Sequence, residues 1–297
     1  MQRHDVRFAS GTQMCAGWLY EPDSAQTPGP LIVMAHGLGA VKEMGLDAFA
    51  RRFVAEGYRA LVFDYRHFGG SEGIPRELLD IGRQLDDWAA AIHYVRLLDN
   101  VDAGRIVLWG TSFSGGHVIE VAKRDGEVAA VMSQCPFTDG FASLRTLGIV
   151  SLLKVTVLAV RDTIAALRHS TPVRVALVGT RGQAALVTAP GAVSAYYALV
   201  PDDMVLPDQV TARIGMRIPL YYPGRAAADL TMPALFCVCL QDRVAPAKTT
   251  LWHVRKARHG QIQRYTTGHF DIYFGEWFER VISDQIAFLQ SHVPVTR

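Results

Sequence analysis

Ser112 lies in Gly110-Thr111-Ser112-Phe113-Ser114, directly after the apolar run Arg105-Ile106-Val107-Leu108-Trp109. The pentapeptide differs at its last position from G-x-S-x-G, the pattern of a serine held on a sharp strand-to-helix turn. Such a turn forces backbone angles that only small flanking residues allow, and it pushes the central hydroxyl into the open. A serine hydroxyl is a weak nucleophile at neutral pH, so it needs a base within hydrogen-bond reach and an acid that orients that base. Asp242, in Gln241-Asp242-Arg243-Val244-Ala245-Pro246, follows the apolar run 235–240, and His269, in Thr267-Gly268-His269-Phe270, follows the run 262–265. In a parallel sheet the strand C-termini share one edge, so residues after three different strands converge on one crevice. The chemistry implied is acyl transfer through a covalent intermediate.

Each assignment has a rival. Ser114 fits a register ending at Gly116, but it falls half a turn into the following helix, which favours Ser112. Asp139 follows an earlier strand, whereas Asp242 stands in the better placed strand-end loop. His253 and His259 fall on a helix or its end and are read as solvated, and His117, on the helix after the turn, as packed or hydrogen-bonded. Asp64 and Arg66 suggest an ion pair near the crevice. No His-x-x-Glu-His pattern or paired-carboxylate spacing occurs. No metal and no cofactor is therefore expected.

Positioning these side chains requires alternating strands and helices, the signature of a mostly parallel sheet covered on both faces. Residues 6–9 and 14–20 suggest a starting hairpin. Strands are expected at 31–35, 60–63, up to the Gly110 turn, at 128–132, 234–240 and 261–265. Helices are expected at 43–56, 77–98, 113–123, 248–258 and from about 273, with 64–75 a loop. From 137 to 230 the alternation stops. That stretch is read as a mainly helical insertion, with two apolar helices in 141–167, a hairpin turn or loop at 178–182 and a helix at 207–217. The division is 1–136 with 231–297 as core and 137–230 as a cap that lines an apolar pocket and excludes water.

Composition sets the outer limits. With 297 residues, 49% hydrophobic and 20% charged, the chain can bury a large core. A formal net charge of +2 gives no reason to expect nucleic acid or an anionic membrane surface. The longest apolar segment, 147–160, carries Lys154 and is too short to span a bilayer core of ~30 Å, so it reads as a buried or lid helix. Cys15, Cys135, Cys237 and Cys239 lack metal-ligand spacing and read as buried structural thiols. The N-terminus lacks the apolar stretch of a signal peptide, so a cytoplasmic location is expected.

On these motifs the chain resembles an α/β-hydrolase over nearly its whole length outside the insertion. His36-Gly37-Leu38-Gly39 is similar to that family's oxyanion loop, residues 110–114 to its nucleophile elbow, and residues 63–71 to the loop after its fourth strand. The resemblance implies Ser112 as nucleophile, His269 as base then acid, and Asp242 as its partner. The backbone N–H groups of Leu38 and Phe113 form the implied oxyanion hole, with His36 ordering that loop. The insertion falls where the family places its cap. Ser114 and Gln241 depart from positions that are often glycine. The expected activity is hydrolysis of carboxylic esters with a hydrophobic acyl or alcohol portion, thioesters and amides being alternatives. A peptidase is weaker, because related oligopeptidases carry a large extra domain. The fold also hosts non-hydrolytic cyclases and ligand-binding proteins, against which the complete Ser-His-Asp set argues. The expected partner is a small apolar ester, and a homodimer stays open.

Overall fold

The computed structural model describes residues 1–23, 28–204 and 208–295. Strands β1 (Gln2–Ser10) and β2 (Gln13–Glu21) form the expected hairpin. The alternation then runs β3 (Gly29–Ala35), α1 (Leu46–Ala55), β4 (Arg59–Phe63), α2 (Ile81–Arg96), β5 (Val101–Thr111), α3 (Phe113–Asp125) and β6 (Ala130–Gln134). It resumes later with β10 (Ala234–Cys239), α7 (Ala247–Val254), β11 (Gly260–Tyr265) and α8 (Gly275–His292). β3, β4, β6 and β10 are buried at every position, as strands covered on both faces must be, which is why they read as unbroken apolar runs. The helices α1, α2, α3, α7 and α8 pack against this sheet.

The sheet order is β1-β2-β4-β3-β5-β6-β10-β11, antiparallel at β1/β2 and β2/β4 and parallel elsewhere. From β3 the chain steps to β4 on one side and later to β5 on the other. The loops after β3 and β5 therefore diverge at a topological switch point, where α/β sheets open a crevice. Register fixes the alignment: Ala35 pairs with Gly110, Thr111 with Gln134, Gln134 with Cys237 and Cys239 with Tyr265. The loops after β3, β5, β10 and β11 thus leave the sheet along one edge.

Residues 137–230 contain α4 (Gly140–Leu144), α5 (Ile149–Leu167), β7 (Arg174–Val178), β8 (Ala185–Val187), α6 (Ala192–Tyr197) and β9 (Gln209–Thr211). Three 3-10 helices follow at Ala212–Met216, Ile218–Leu220 and Pro223–Asp229. The two helices expected in 141–167 are α4 and α5. The helix expected at 207–217 is corrected to a strand and a 3-10 turn, and Pro207 lies outside the described residues. Val210 and Thr211 are β-branched, and the segment completes a second sheet of order β8-β7-β9 by pairing antiparallel with β7. The hairpin turn or loop expected at 178–182 is a loop that follows Val178, the last residue of β7, because β7 and β8 run parallel and no tight hairpin can join parallel strands. The helix expected at 43–56 starts only at Leu46, after Gly45 in the left-handed region at φ 83°.

Candidate active site

The turn between β5 and α3 holds Ser112 at φ 57° and ψ −117°, a conformation that a side chain adopts only under constraint. Ser112 N–H donates to Gln134 O at 2.8 Å, and Ser112 O accepts from Phe137 N–H at 2.8 Å, so β6 and the chain after it clamp the turn. Close approach explains the flanking glycines. A Cβ on Gly110 would stand 2.3 Å from Ser114 O, and one on Gly116 would stand 2.2 Å from Phe137 O. Position 114 tolerates a side chain because its hydroxyl has a partner: Ser114 Oγ is hydrogen-bonded to Tyr65 OH at 2.8 Å, and Tyr65 OH accepts from Trp88 Nε1–H at 2.8 Å.

Three strand-end loops bring their side chains together. His269 Nε2 lies 2.9 Å from Ser112 Oγ, and His269 Nδ1 lies 2.6 Å from Asp242 Oδ2. Asp242 Oδ1 accepts from Val244 N–H and Ala245 N–H, each at 2.7 Å, so the carboxylate is fixed by its own loop. With its proton on Nδ1 the imidazole donates to Asp242 and accepts from the Ser112 hydroxyl. That polarity suits a base drawing a proton from an attacking oxygen. Asp139 is elsewhere: it accepts from Ala142 N–H at 2.9 Å at the start of α4 and lies 3.4 Å from His253 Nε2.

The loop after β3 closes against this serine. A Cβ on Gly37 would stand 2.8 Å from Ser112 Cβ, which places Leu38, the next residue, beside the turn. His36 orders the loop, its Nδ1 accepting from Gly37 N–H at 2.7 Å and its Nε2–H donating to Met44 O at 2.8 Å. Leu38 and Phe113 both line an apolar cavity of about 90 Å³ that also reaches Ser112 and His269. Its walls include Leu144 and Val155 from α4 and α5, Leu177 and Leu186 from β7 and β8, and Tyr196 from α6; among the described residues none that lines it is acidic. The Tyr196 hydroxyl is buried there without a hydrogen-bond partner among the described residues.

A profile of the X-Pro dipeptidyl-peptidase (S15) family matches residues 11–202. The chain belongs to that family. The S15 chain is 52% identical over 291 residues to the quorum-quenching protein AidA of Acinetobacter baumannii (strain MDR-ZJ06), covering 98% of this chain and 95% of that one. It is 40% identical over 111 residues to the thiohydrolase aneE of Aspergillus aculeatus, 37% of this chain and 35% of that one. Its fold matches the crystal structure of the α/β-hydrolase GrgF from Penicillium sp. sh18 with a TM-score of 0.85, at 22% identity and 99% coverage of both chains. The S15 chain is thus an α/β-hydrolase, as its motifs implied.

Electrostatics in this S15 site separate its imidazoles. Burial works against a charged His269, but the Asp242 carboxylate beside it overcomes that penalty and raises its pKa to about 9. Burial lowers His36 to about 4 and His117 to about 3, so both are neutral hydrogen-bonding groups. His117 fits its sequence reading, bonded to Gln84 Oε1 at 2.9 Å and Tyr221 OH at 2.8 Å. His259 is exposed as expected, whereas His253 is corrected: it is buried, packed between Trp252 and Asp139.

Asp64 and Arg66 do not pair. Past the end of β4 each takes a partner on a different element: Asp64 takes Lys42 Nζ at 2.6 Å, and Arg66 ion-pairs with Asp87 on α2. Asp64 also accepts from Lys42 N–H at 2.8 Å and Gly70 N–H at 3.0 Å, tying the loop after β3 to the loop after β4. Sequence reading missed Lys42, Tyr65, Cys135 and Tyr273 as supports of the site. Tyr273 OH is hydrogen-bonded to Thr111 Oγ1, and its ring stacks on His36 at 6.0 Å. Nothing local marks these residues, since each meets its partner across the sheet edge.

Proposed function

We propose that this chain hydrolyses carboxylic esters with a hydrophobic acyl or alcohol portion, through an acyl-enzyme on Ser112. The observation that carries the reading is the continuous hydrogen-bonded line from Ser112 through His269 to Asp242, opening on an apolar cavity. Ser112 Oγ attacks the carbonyl carbon while His269 Nε2 takes its proton. Backbone N–H groups of Leu38 and Phe113 receive the developing oxyanion. His269 then returns the proton to the leaving alcohol, and water repeats the sequence to free the acid.

Several observations bear on the alternatives. A dipeptidyl-peptidase must hold the ammonium of a peptide's first residue, and among the described residues that line the cavity no carboxylate supplies a counter-charge. The partial likeness to a thiohydrolase supports acyl thioesters as a second substrate class for the same machinery. In the proposed layout, residues 137–230 serve as the cap. Four buried free cysteines, with the Cys135 S–H donating to the His269 carbonyl at 3.7 Å, support a reducing, cytoplasmic setting.

The test is labelling with a fluorophosphonate, then turnover of p-nitrophenyl esters and matched thioesters across acyl lengths. Wild type labels and turns over, and Ser112→Ala loses both, with kcat down by ~10⁴-fold or more. Absence of both in wild type overturns the reading. Retention of both by Ser112→Ala, with loss in Ser114→Ala, overturns the register.

A further inference from the structure

We propose that the outer face of α5 docks on an anionic lipid surface. The helix buries Ser151, Val155, Ala159 and Asp162 against the rest of the chain and turns Ile149, Leu153, Val157, Val160, Ile164 and Leu167 to solvent. Leu153 is 61% exposed and Leu167 78%. The spacing from Leu153 onward is four, three, four, three, so these side chains form one stripe along the helix. A contiguous apolar stripe of this length on a surface marks a place where something binds.

Charge decides what. Lys154, Arg161 and Arg168 stand seven residues apart and therefore run as a row along one flank of the stripe, while Thr156 and Thr163 occupy the other flank. All three cations are exposed. Lys154 Nζ donates to the Gly182 carbonyl at 2.8 Å, and among the described residues none of the three pairs with a carboxylate. The helix's sole acid, Asp162, is buried on the opposite face and held by Arg213 Nε at 2.7 Å. The formal net charge of +2 hides this row, because a sum carries no position.

A second copy of the chain is the obvious competitor for an apolar helix face, and the flanks argue against it. In an antiparallel two-fold pairing the same flank meets itself, setting Arg161 against Arg161 and Lys154 against Arg168. In a parallel pairing the cations meet Thr156 and Thr163. Neither arrangement supplies a carboxylate. Anionic headgroups complement the row, and acyl chains accept the stripe beside it. No helix among the described residues is long and apolar enough to cross a membrane, so α5 lies along the surface. Its inner face contributes Val155 to the apolar cavity, which makes the docked helix the wall between lipid and cavity.

The experiment is co-sedimentation of the full chain with vesicles of phosphatidylcholine alone and with an equal share of phosphatidylglycerol. The readout does not use catalysis, so it stands or falls apart from the ester reading. Wild type binds the anionic vesicles at least ~10-fold more tightly, and added salt weakens that binding. Arg161→Glu with Arg168→Glu removes the preference, and Val157→Ser with Ile164→Ser removes binding to both vesicles. Circular dichroism and thermal melting confirm that these variants remain folded; if either pair unfolds, the milder Arg161→Gln with Arg168→Gln and Val157→Ala with Ile164→Ala give the same readout. Equal binding to both vesicles, no binding to either, or binding unchanged by the substitutions overturns the proposal. So does sedimentation equilibrium showing a wild-type dimer that Val157→Ser with Ile164→Ser dissolves, without vesicle binding.

Discussion

Ser114 and Ser112 are two residues apart, yet they meet different partners: Ser114 faces the Tyr65 hydroxyl, and Ser112 faces His269. Ser114→Ala deprives a buried Tyr65–Trp88 chain of one member and lowers stability by ~1 kcal/mol in urea unfolding, while fluorophosphonate labelling persists. His269 makes a second prediction at this scale. A general base works only when neutral, and its pKa is raised to about 9, so kcat/KM climbs with pH and levels off only above about 9. Asp242→Asn removes the carboxylate that raises it. The profile then moves to lower pH, and kcat falls by ~10⁴-fold as the imidazole loses its orientation. Linkage has the corresponding sign: the pair's contribution to stability is complete below the ordinary imidazole value of ~6.5 and is lost as pH rises through about 9.

At the scale of elements, the β5–α3 turn and the loops after β3 and β4 form one construction. The turn depends on backbone approaching backbone, so Gly116→Ala, whose Cβ would stand 2.2 Å from Phe137 O, costs ~3 kcal/mol, read as a fall in the urea midpoint. The two loops depend on one buried ion pair. Lys42→Met leaves the wholly buried Asp64 carboxylate without its cation and destabilises by ~3–5 kcal/mol. Because the same loop carries Leu38, that variant also lowers kcat more than it raises KM for any ester tested. Proposed oxyanion donors act in the transition state, so loosening them shows in kcat.

At the scale of the whole molecule, neutral imidazoles are buried on both sides of the elbow, and this makes the fold acid-sensitive. His36 and His117 titrate at about 4 and about 3, so the stability they contribute is present above ~6.5 and is lost as pH falls through those values. The expected outcome in calorimetry is a Tm that falls over that range, with a shallower fall in His117→Gln. Much of this molecule was legible in its sequence because the signals are local: unbroken apolar runs for strands buried on both faces, glycines where backbones nearly touch, and Ser112, Asp242 and His269 each just past a strand. The second sheet was not legible, since β7, β8 and β9 are short and gain their strand character from pairing with one another. Likewise α5 read as a buried or lid helix, because an apolar segment does not say which of its faces will find a neighbour. Sequence by itself determined the alternation of the core sheet and the placing of Ser112, Asp242 and His269 just past its strands, through chain chemistry that acts over a few residues. Only the tertiary structure decided that His269 bonds Asp242 and not Asp139, that Asp64 takes Lys42 and not Arg66, and that α5 turns Leu153 and Val157 outward. Those choices rest on distances between residues far apart in the chain, which the packing of the sheet sets and no local pattern encodes.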